Sequence, residues 1–299
     1  MALPSKCPMC FAKSNNLEVK TAHIYGKEEG AFFKCNNCQV IFQYPFLSKK
    51  EEIEFYNSEF EKFMDQRVGK NSNWNNVEKH VNDNKNTYKR RIKYLKKFFI
   101  KKKLDILEIG CSSGFMLYPL IKKGFSCNGI EPSGYFSEFL LDKKINLFKN
   151  IDDIKNQKFD LIMHFFVLEH IKNPIEFLIQ QLKLLKKNGK IIFEIPSYSD
   201  ALSNIYDIPE FERFYWSKAH PWYFNKFSIN FLLKKLNKKY SITFDQRYNL
   251  SNHIYWSHYR APGGQNFYSK YFGKKIENTY RKELIKNGYA DTIICTIYK

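Results

Sequence analysis

The sequence predicts an α/β protein with a doubly wound parallel sheet, and two observations carry that prediction. From residue 104 onward, short apolar segments alternate with segments of helical periodicity, which is typical of parallel strands joined by crossover helices. The first apolar segment, 104–109, runs into a turn at 110–114 that contains two glycines. We therefore expect a Rossmann-like arrangement, with helices on both faces and a ligand site at the carboxyl ends of the strands.

The elements of this domain follow from apolar runs and the turns that flank them. Strands are predicted at 104–109, 126–130, 146–149, 159–164, 190–196, 241–247 and 291–298. Helices are predicted after the glycine turn up to residue 123, at 136–141, 174–188 and 227–236, and once more before the last strand. The helix near 174 has the clearest signals: Asn173 as N-cap, Pro174 at the first position, Glu176 completing a capping box and Gly189 ending the helix.

Two closely spaced cysteine pairs stand near the amino terminus, separated by 24 residues. Each C-x2-C turn can direct two thiolates at one tetrahedral ion, and four thiolates leave no position open for water. With short strands predicted at 17–24 and 31–34, residues 1–45 are expected to form a ribbon around a structural zinc ion held by Cys7, Cys10, Cys35 and Cys38. The alternative is four unrelated reduced thiols.

Residues 46–103 are predicted as a helical connector with many charges. Aromatic residues recur at helical spacing in 49–63, and we interpret this stripe as packing. The second helix, from 77 to about 103, is rich in Lys and contains Arg90 and Arg91, and we interpret it as a solvated face. A loop rich in Asn is predicted at 69–76.

The net charge is +19, from 49 Lys and Arg against 30 Asp and Glu. Such a surplus suits an anionic partner, but only seven of the cations are Arg, and a nucleic-acid reader commonly uses more of this residue. The composition, 43% hydrophobic, excludes a disordered chain. No apolar signal segment follows Met1 and no run approaches the about 20 residues that span a bilayer. We therefore expect a cytoplasmic protein without membrane insertion.

The end of the first strand carries the motif with the clearest chemistry. Glu108, Gly110, Ser112 and Gly114 occupy alternate positions there, and Glu131 ends the second strand, where a carboxylate can bind both hydroxyls of a ribose. The spacing differs from the G-x-G-x-x-G pattern of dinucleotide sites, and an acid beside the turn would repel a pyrophosphate. It suits instead a cationic ligand such as S-adenosylmethionine.

These motifs resemble those of class I S-adenosylmethionine-dependent methyltransferases. The resemblance covers 104–197 and rests on the segments 108–114, 129–133, 159–171 and 187–192. It implies that the loop surrounds the methionine part of the cofactor, that Glu131 binds the ribose and that the cofactor pocket is lined by Glu108, Gly110, Cys111, Ser112, Gly114, Pro132 and Phe165. Ser112 replaces the usual middle glycine, and Asp152 and Asp153 are the nearest candidates for binding adenine.

The flanks are similar to methyltransferases of sugar and surface-polysaccharide pathways, including zinc-containing deoxysugar C-methyltransferases. This similarity rests on the cysteine ribbon ahead of 44–45 and 55–56, and on the late segment 220–228. The domain is expected to span 104–299, with an aromatic lid or substrate wall at 197–228; an ordinary aromatic subcore is the alternative.

A hydroxyl or carbon acceptor needs a base to remove its proton. His170 follows the fourth strand of the domain at the cofactor rim, and His220 lies in the predicted lid, so either is a candidate catalytic base. The remaining histidines are interpreted as structural: His23, His80, His164, His253 and His258.

Three functions therefore follow from the sequence. The leading hypothesis is methylation of a small, anionic acceptor, a sugar or a phosphorylated or nucleotide-linked precursor of surface polysaccharide, with oxygen slightly favoured over carbon or nitrogen. The alternatives are an RNA methyltransferase and a non-catalytic zinc-ribbon interaction protein. The oligomeric state is left open.

Overall fold

A computed structural model describes residues 3–59, 62–63, 76–100, 103–132 and 136–299. The described strands form a four-stranded and a seven-stranded sheet. In chain order they are β1 Leu17–Thr21, β2 Ala31–Cys35, β3 Ile41–Tyr44, β4 Asp105–Ile109, β5 Ser126–Ile130, β6 Asn146–Phe148, β7 Phe159–Phe165, β8 Leu185–Pro196, β9 Trp222–Tyr223, β10 Tyr240–Asp245 and β11 Thr292–Tyr298.

The seven-stranded sheet confirms the predicted α/β fold. Its order is β10-β11-β8-β7-β4-β5-β6, and the pairs from β8 to β6 are parallel. β11 runs antiparallel to both of its neighbours, β8 and β10. β10 therefore points the same way as β8, and its carboxyl end reaches the same rim as those of β4, β5, β7 and β8.

Neighbouring residues of the central strands alternate between two core clusters. Leu107, Ile162 and Ile191 belong to one cluster, whereas the adjacent Ile106 and Leu161 belong to the other. Because successive strand side chains point to opposite faces, the sheet is buried on both sides. This is the reason the strands appear in the sequence as continuous apolar runs.

Helices cover both faces and the rim of the sheet. Within the described residues the α-helices are Lys49–Glu54, Val77–Asp83, Lys85–Leu95, Leu117–Ile121, Ser137–Asp142, Pro174–Leu184, Ala201–Asn204, Pro209–Tyr215, Lys226–Lys234, Leu250–Tyr259 and Ser269–Lys286. None of them is both long enough and apolar enough to cross a bilayer.

The helix near 174 starts as predicted, with Pro174 in its first turn, but two of its other signals are wrong. The Asn173 side chain makes no cap hydrogen bond, so no capping box with Glu176 forms. The helix ends at Leu184, because Leu185 already pairs with Phe159 as β8 begins. Gly189 lies within that strand, at a β-bulge, where a Cβ atom would come within 3.0 Å of the Phe159 carbonyl oxygen.

The four-stranded sheet contains the cysteine-rich segment and part of the predicted lid. β1, β2 and β3 are antiparallel, as expected for a ribbon, and β3 also pairs with β9 through Ile41–Tyr223 and Phe42–Trp222. The ribbon is thus continuous with a strand that lies some 180 residues later in the sequence. The two segments form one layer beside the larger sheet.

The connector is helical where it is described. Lys49–Glu54 begins with a capping box made by Ser48 and Glu51, and Phe55–Glu59 continues as a π-helical turn. The aromatic stripe packs as interpreted at Phe55 and Phe63, which are buried against Ala219. Phe60 and the predicted loop at 69–75 lie outside the described residues.

The interpretation of the second connector helix as a solvated face is wrong for its two arginines. Both lie on Lys85–Leu95 and point at Glu194 of β8, which is fully buried. Arg90 binds the Glu194 carboxylate through both terminal nitrogens, at 2.6 and 2.8 Å, and Arg91 Nε donates at 3.0 Å. The Tyr94 hydroxyl adds a bond of 2.6 Å. Burial alone would raise the pKa of Glu194, but the guanidinium groups of Arg91 and Arg90 lower it to about 2.

Replacing Glu194 with Ala is expected to lower the free energy of unfolding by about 3–5 kcal/mol, because the buried Arg91 loses its carboxylate partner and Arg90 keeps only Asp245. Glu194 is stabilising above its ordinary pKa of 4.5, and this contribution is lost as the pH falls towards 2. Urea unfolding at pH 7 measures the effect. Asp142→Ala, which removes an exposed pair with Lys143, is the control and should change nothing measurable. Equal stability of the two variants would contradict the prediction.

Candidate functional site

The turn after β4 has the backbone of a ligand-binding loop. Gly110, Ser112 and Gly114 have φ values of 71°, 48° and 67°, so every second residue is left-handed. The amides of Gly110 and Cys111 both donate to the Ile130 carbonyl, which ties the loop to the end of β5. Ser112 therefore adopts the conformation that a glycine favours, which explains why glycine is usual at that position.

Close packing under this loop also needs glycine. A Cβ atom on Gly114 would stand 2.7 Å from Leu140 Cδ2 and 2.8 Å from Ile145 Cδ1. A Cβ atom on Gly129 of β5 would stand 2.5 Å from the Cys111 sulfur. Cys111 is thus a buried packing residue of the loop, and its thiol is held neutral because burial raises its pKa well above the usual value.

The two carboxylates at the rim are in different environments. Glu108 is 2% exposed and its Oε2 atom has no hydrogen-bond partner. Burial raises the pKa of Glu108 to about 8, against the opposing effect of Arg91. Glu131 is half-buried and accepts a bond of 2.8 Å from the Ser112 amide. Pro132, which follows it, is exposed at the same rim.

Arg91 is a site residue that sequence analysis missed. Its guanidinium carbon lies 3.9 Å from the centre of the Phe165 ring and its charge acts on Glu108. Phe165 is buried at the end of β7, so the predicted pocket residue has a cation stacked on it. The only sequence signal was an Arg-Arg pair in the helix before β4.

The histidine of the preceding helix packs directly on the loop. His80 Nδ1 lies 2.8 Å from the Ser113 hydroxyl, and the ring packs against Phe136 and Phe115. The interpretation of His80 as structural agrees with these contacts. They place the Val77–Asp83 helix against the cofactor loop.

The candidates for binding adenine lie in a short turn after β6. Both side chains are exposed, and the carboxylate of Asp153 already accepts the Asn150 amide at 2.8 Å. The assignment of either residue to adenine binding stays a prediction.

The structure brings the two candidate bases together. The rings of His170 and His220 are 4.6 Å apart and nearly perpendicular. His170 Nδ1 lies 2.6 Å from the Ala219 carbonyl oxygen and 3.3 Å from the Tyr56 hydroxyl. Because a carbonyl only accepts, Nδ1 carries a proton, so the lone pair of the neutral ring would be on Nε2.

Glu169 stands beside this histidine pair and was not singled out from the sequence. It is 1% exposed, neither of its oxygens has a hydrogen-bond partner, and burial raises its pKa to about 8. A carboxylate oxygen and one nitrogen from each ring lie within 4.8 Å of one another. No local pattern distinguishes Glu169 from an ordinary residue of a short turn, which is why sequence analysis missed it.

A pocket opens next to His170 and is lined by three parts of the chain. Gln43 comes from the ribbon, Tyr56 from the connector, and Lys218 with Ala219 from the predicted lid. The Gln43 side chain is fully buried and its amide has no hydrogen-bond partner. From the segment 197–228, Lys218, Ala219 and Pro221 line this pocket, and the role of the segment as a lid or substrate wall stays a prediction.

A second arginine missed from the sequence lies just past β10. The Arg247 guanidinium carbon is 4.1 Å from the centre of the Phe166 ring, and its Nε has no hydrogen bond. The nearest carboxylate oxygen, on Asp291, is 3.7 Å away, and 28% of the side chain is exposed. Its charge also acts on Glu169. Arg247 thus offers donors at the acceptor side of the rim.

The four predicted metal ligands form one cluster. Their sulfur atoms lie within 4.8 Å of one another, with 3.8 Å between Cys7 and Cys38 and 3.5 Å between Cys10 and Cys35. Four thiolates bound at about 2.3 Å around a tetrahedral ion would lie about 3.8 Å apart. The donor set and its spacing fit a closed tetrahedral site.

Gly114→Ala is expected to destabilise the protein more than Gly124→Ala by about 1–3 kcal/mol. Both glycines have positive φ, so both variants carry the same kind of backbone strain, but a Cβ atom at Gly124 would meet open space. The difference between the two free energies of unfolding, measured with urea, isolates the contact with Leu140 and Ile145. Equal decreases in the free energy of unfolding would show that the close packing at Gly114 does not contribute to stability.

Comparison with solved structures identifies the fold. The plantazolicin methyltransferase BpumL in complex with S-adenosylhomocysteine (SAH) is similar over 83% of this chain and 93% of its own, with a TM-score of 0.51 and 16% identity. Its complex with a triazolic desmethylPZN analog gives the same TM-score at 18% identity. At this level of identity, the likeness concerns the fold.

Curated relatives align with part of the chain. The ubiquinone biosynthesis O-methyltransferase of Pelagibacter ubique is 32% identical over 121 residues, which cover 33% of this chain and 49% of that protein. The tRNA U34 carboxymethyltransferase of Dichelobacter nodosus is 30% identical over 98 residues, 30% of this chain and 31% of that protein. The chain thus spans half of the first relative's length and less than a third of the second's.

A model of the methyltransferase domain family matches residues 80–239, more than half of the chain. The match begins in the connector at His80 and includes the loop at 110–114, Glu131, and the histidine pair. The chain therefore belongs to the methyltransferase domain family and has the Rossmann-like fold of the class I, S-adenosylmethionine-dependent methyltransferases.

Proposed function

We propose that this protein transfers a methyl group from S-adenosylmethionine to a small anionic acceptor. The acceptor is a sugar or a phosphorylated or nucleotide-linked precursor of surface polysaccharide, and oxygen is the favoured atom. The observation that carries the proposal is the buried, unbonded Oε2 of Glu108 at the end of β4. An orphaned carboxylate oxygen beside a left-handed loop is suited to a cationic ligand.

Three residues at the rim would each bind a different part of the cofactor. Glu108 would bind its α-ammonium group, Glu131 its ribose hydroxyls, and Arg91 its carboxylate, since Arg91 lies on the same side of the rim as Glu108. When bound, S-adenosylmethionine supplies an electrophilic methyl group on a sulfonium sulfur. The chain's main contribution is to hold the acceptor in line with that group.

The acceptor also loses a proton, and we place this step at His170 and His220. Because Nδ1 of His170 donates to the Ala219 carbonyl, the neutral ring would present the lone pair of Nε2, as a base requires. The His220 ring lies against it, between Ala219 and Pro221, which line the pocket. Either imidazole can take the proton directly.

Two basic residues support an anionic acceptor. Arg247 offers its guanidinium group at the rim, and Lys172 lines the pocket beside His170. The resemblance of 220–228 to sugar methyltransferases supports a sugar unit. The pocket has walls from the ribbon, the connector and the predicted lid, and it therefore suits a small molecule better than an RNA duplex.

RNA remains the alternative acceptor, since one curated relative is a tRNA enzyme. Arg90, Arg91 and Arg281 bind carboxylates inside the fold. These three arginines therefore do not offer their charge to a nucleic acid. The non-catalytic alternative is disfavoured by the intact Glu108 and Glu131. A degenerate site would have no reason to keep a buried acid at this cost.

The cysteine cluster is proposed to hold a structural zinc ion. Cys7, Cys10, Cys35 and Cys38 supply four thiolates and complete its coordination, so the ion would take no part in the reaction. The zinc ion would stabilise the ribbon, which contributes Gln43 to the pocket.

SAH binding at pH 7 is expected to release protons. Glu108, with a pKa of about 8, is mostly protonated at this pH, and an ammonium group beside it favours the carboxylate. Calorimetry in buffers of different ionisation enthalpy measures the released protons, and the affinity should rise as the pH increases from 6 to 8.

The matched variants separate the two rim acids. Glu108→Gln should remove the proton release, whereas Glu131→Gln should weaken binding and retain it. If wild-type SAH binding shows no buffer dependence, Glu108 does not bind the ammonium group. If SAH does not bind at all, the proposed function is wrong.

Arg247→Leu is expected to raise KM for a nucleotide-sugar acceptor by at least about tenfold, equivalent to about 1.4 kcal/mol, with the SAH Kd unchanged. Transfer of labelled methyl from S-adenosylmethionine to a panel of nucleotide sugars and sugar phosphates provides the assay. Arg260→Leu, at an exposed arginine outside the rim, is the control. Methyl incorporation into RNA, with none into the panel, would favour the alternative.

A further inference from the structure

We propose that Glu169, His170 and His220 bind a divalent transition-metal ion beside the acceptor pocket that His170 lines. Metal binding by these residues stands on its own geometry, whereas the role given to the ion rests on the proposed methyl transfer. This site is separate from the four-cysteine cluster, since it uses nitrogen and oxygen donors from the turn after β7 and from the lid.

The three side chains converge without bonding to one another. A carboxylate oxygen of Glu169 and one ring nitrogen of each histidine lie within 4.8 Å of one another. Ligands at about 2.1 Å from a single ion can be as much as about 4.2 Å apart, so a small closure would complete the site. The perpendicular rings, 4.6 Å apart, allow both to present a nitrogen edge to one point.

Glu169 is the strongest sign that a cation belongs here. The side chain is 1% exposed, and neither oxygen has a hydrogen-bond partner. If Glu169 only oriented an imidazole for base catalysis, it would hydrogen-bond to that ring, as in a catalytic dyad. A carboxylate that approaches two imidazoles but bonds to neither has the arrangement of a metal ligand, and a buried charge requires such compensation.

His170 is oriented as metal-binding histidines are. Its Nδ1–H donates to the Ala219 carbonyl at 2.6 Å, which fixes the orientation of the ring. A backbone carbonyl on the second nitrogen is a common partner of metal-ligating histidine. Ala219 directly precedes His220, so one short segment both orients the first histidine and supplies the second.

The donor set selects the kind of ion. Two imidazoles and one carboxylate suit Zn²⁺ and its first-row neighbours, whereas Mg²⁺ and Ca²⁺ prefer all-oxygen sites. Three protein ligands leave coordination positions open, and His170 lines the pocket that Tyr56 and Lys172 also line. An acceptor hydroxyl bound there would lose its proton to solvent more readily, because the ion stabilises the alkoxide. This route would replace direct proton transfer to an imidazole.

Cobalt titration of the full chain tests the proposal. The protein is prepared with zinc in the four-cysteine cluster, treated with a chelating resin and titrated with Co²⁺. We expect one further equivalent to bind, with the weak visible bands of a nitrogen and oxygen site and without the intense thiolate charge-transfer bands of a cysteine site. Glu169→Gln and His220→Gln should each lose this equivalent.

Two control variants test its location. Glu176→Gln replaces an exposed glutamate, and His258→Gln replaces an exposed histidine. Both variants should bind cobalt as the wild type does. Thermal unfolding and the SAH Kd, measured on every variant, show that the fold and the cofactor site are intact. If Glu169→Gln does not fold, the half-buried His220 supplies the same test.

The outcomes separate the metal from the methyl transfer. Absence of the further equivalent, or its survival in Glu169→Gln and His220→Gln, overturns the metal site. If SAH binds and cobalt does not, the imidazoles keep the role of direct bases. If cobalt binds at this site and SAH does not bind, the metal site stands and the proposed function fails.

Discussion

The site depends on one buried interaction, between Glu194 of β8 and the arginines of the Lys85–Leu95 helix. The carboxylate has no exposure, and it is stabilised because Arg90, Arg91 and Tyr94 together supply four hydrogen bonds. Arg90 also donates to Asp245 of β10, so one guanidinium links a central and an edge strand. This arrangement fixes the helix across the rim and thereby sets Arg91 between Phe165 and Glu108. Without it, the cofactor side of the rim would have no fixed cation.

A second constraint joins the cysteine ribbon to the pocket. β3 pairs with β9, the Tyr198 hydroxyl donates to the Gln39 carbonyl, and Lys235 donates to the Met9 carbonyl. Both carbonyls lie in or beside a C-x2-C turn, so the turns that hold the thiolates are also the points of attachment. A tetrahedral ion bound there would stiffen the same turns, and its effect would reach Gln43 and the wall of the pocket through β3.

Local patterns predicted the β-α order, the glycine turn after β4 and the four-cysteine cluster, because each depends on residues that are close in sequence. Gly110 and Gly114 show the loop, and C-x2-C spacing shows the cluster. The residues that sequence analysis missed act over long separations: Arg91 reaches a strand residue 103 positions away. Gly189 was misread for a related reason, since pairing with β7 decides where the helix before it ends. Helical periodicity carries no information about such a partner.

The four glutamates at the rim have the same carboxyl group, but their different neighbours give them different roles. Glu194 is matched by two arginines, which lower its pKa to about 2, and it is structural. Glu108 and Glu169 are as deeply buried, yet the arginine near each does not form a hydrogen bond to its free oxygens, and burial raises both pKa values to about 8. Glu131, half-buried, accepts a hydrogen bond from the Ser112 amide. Burying an unpaired acid is costly, and the fold has cations close enough to neutralise both. In the proposed sites, a cation from outside the chain completes each of these two acids. The net charge of +19 therefore says less about the partners than the placement of a few arginines and of the acids that they leave unpaired.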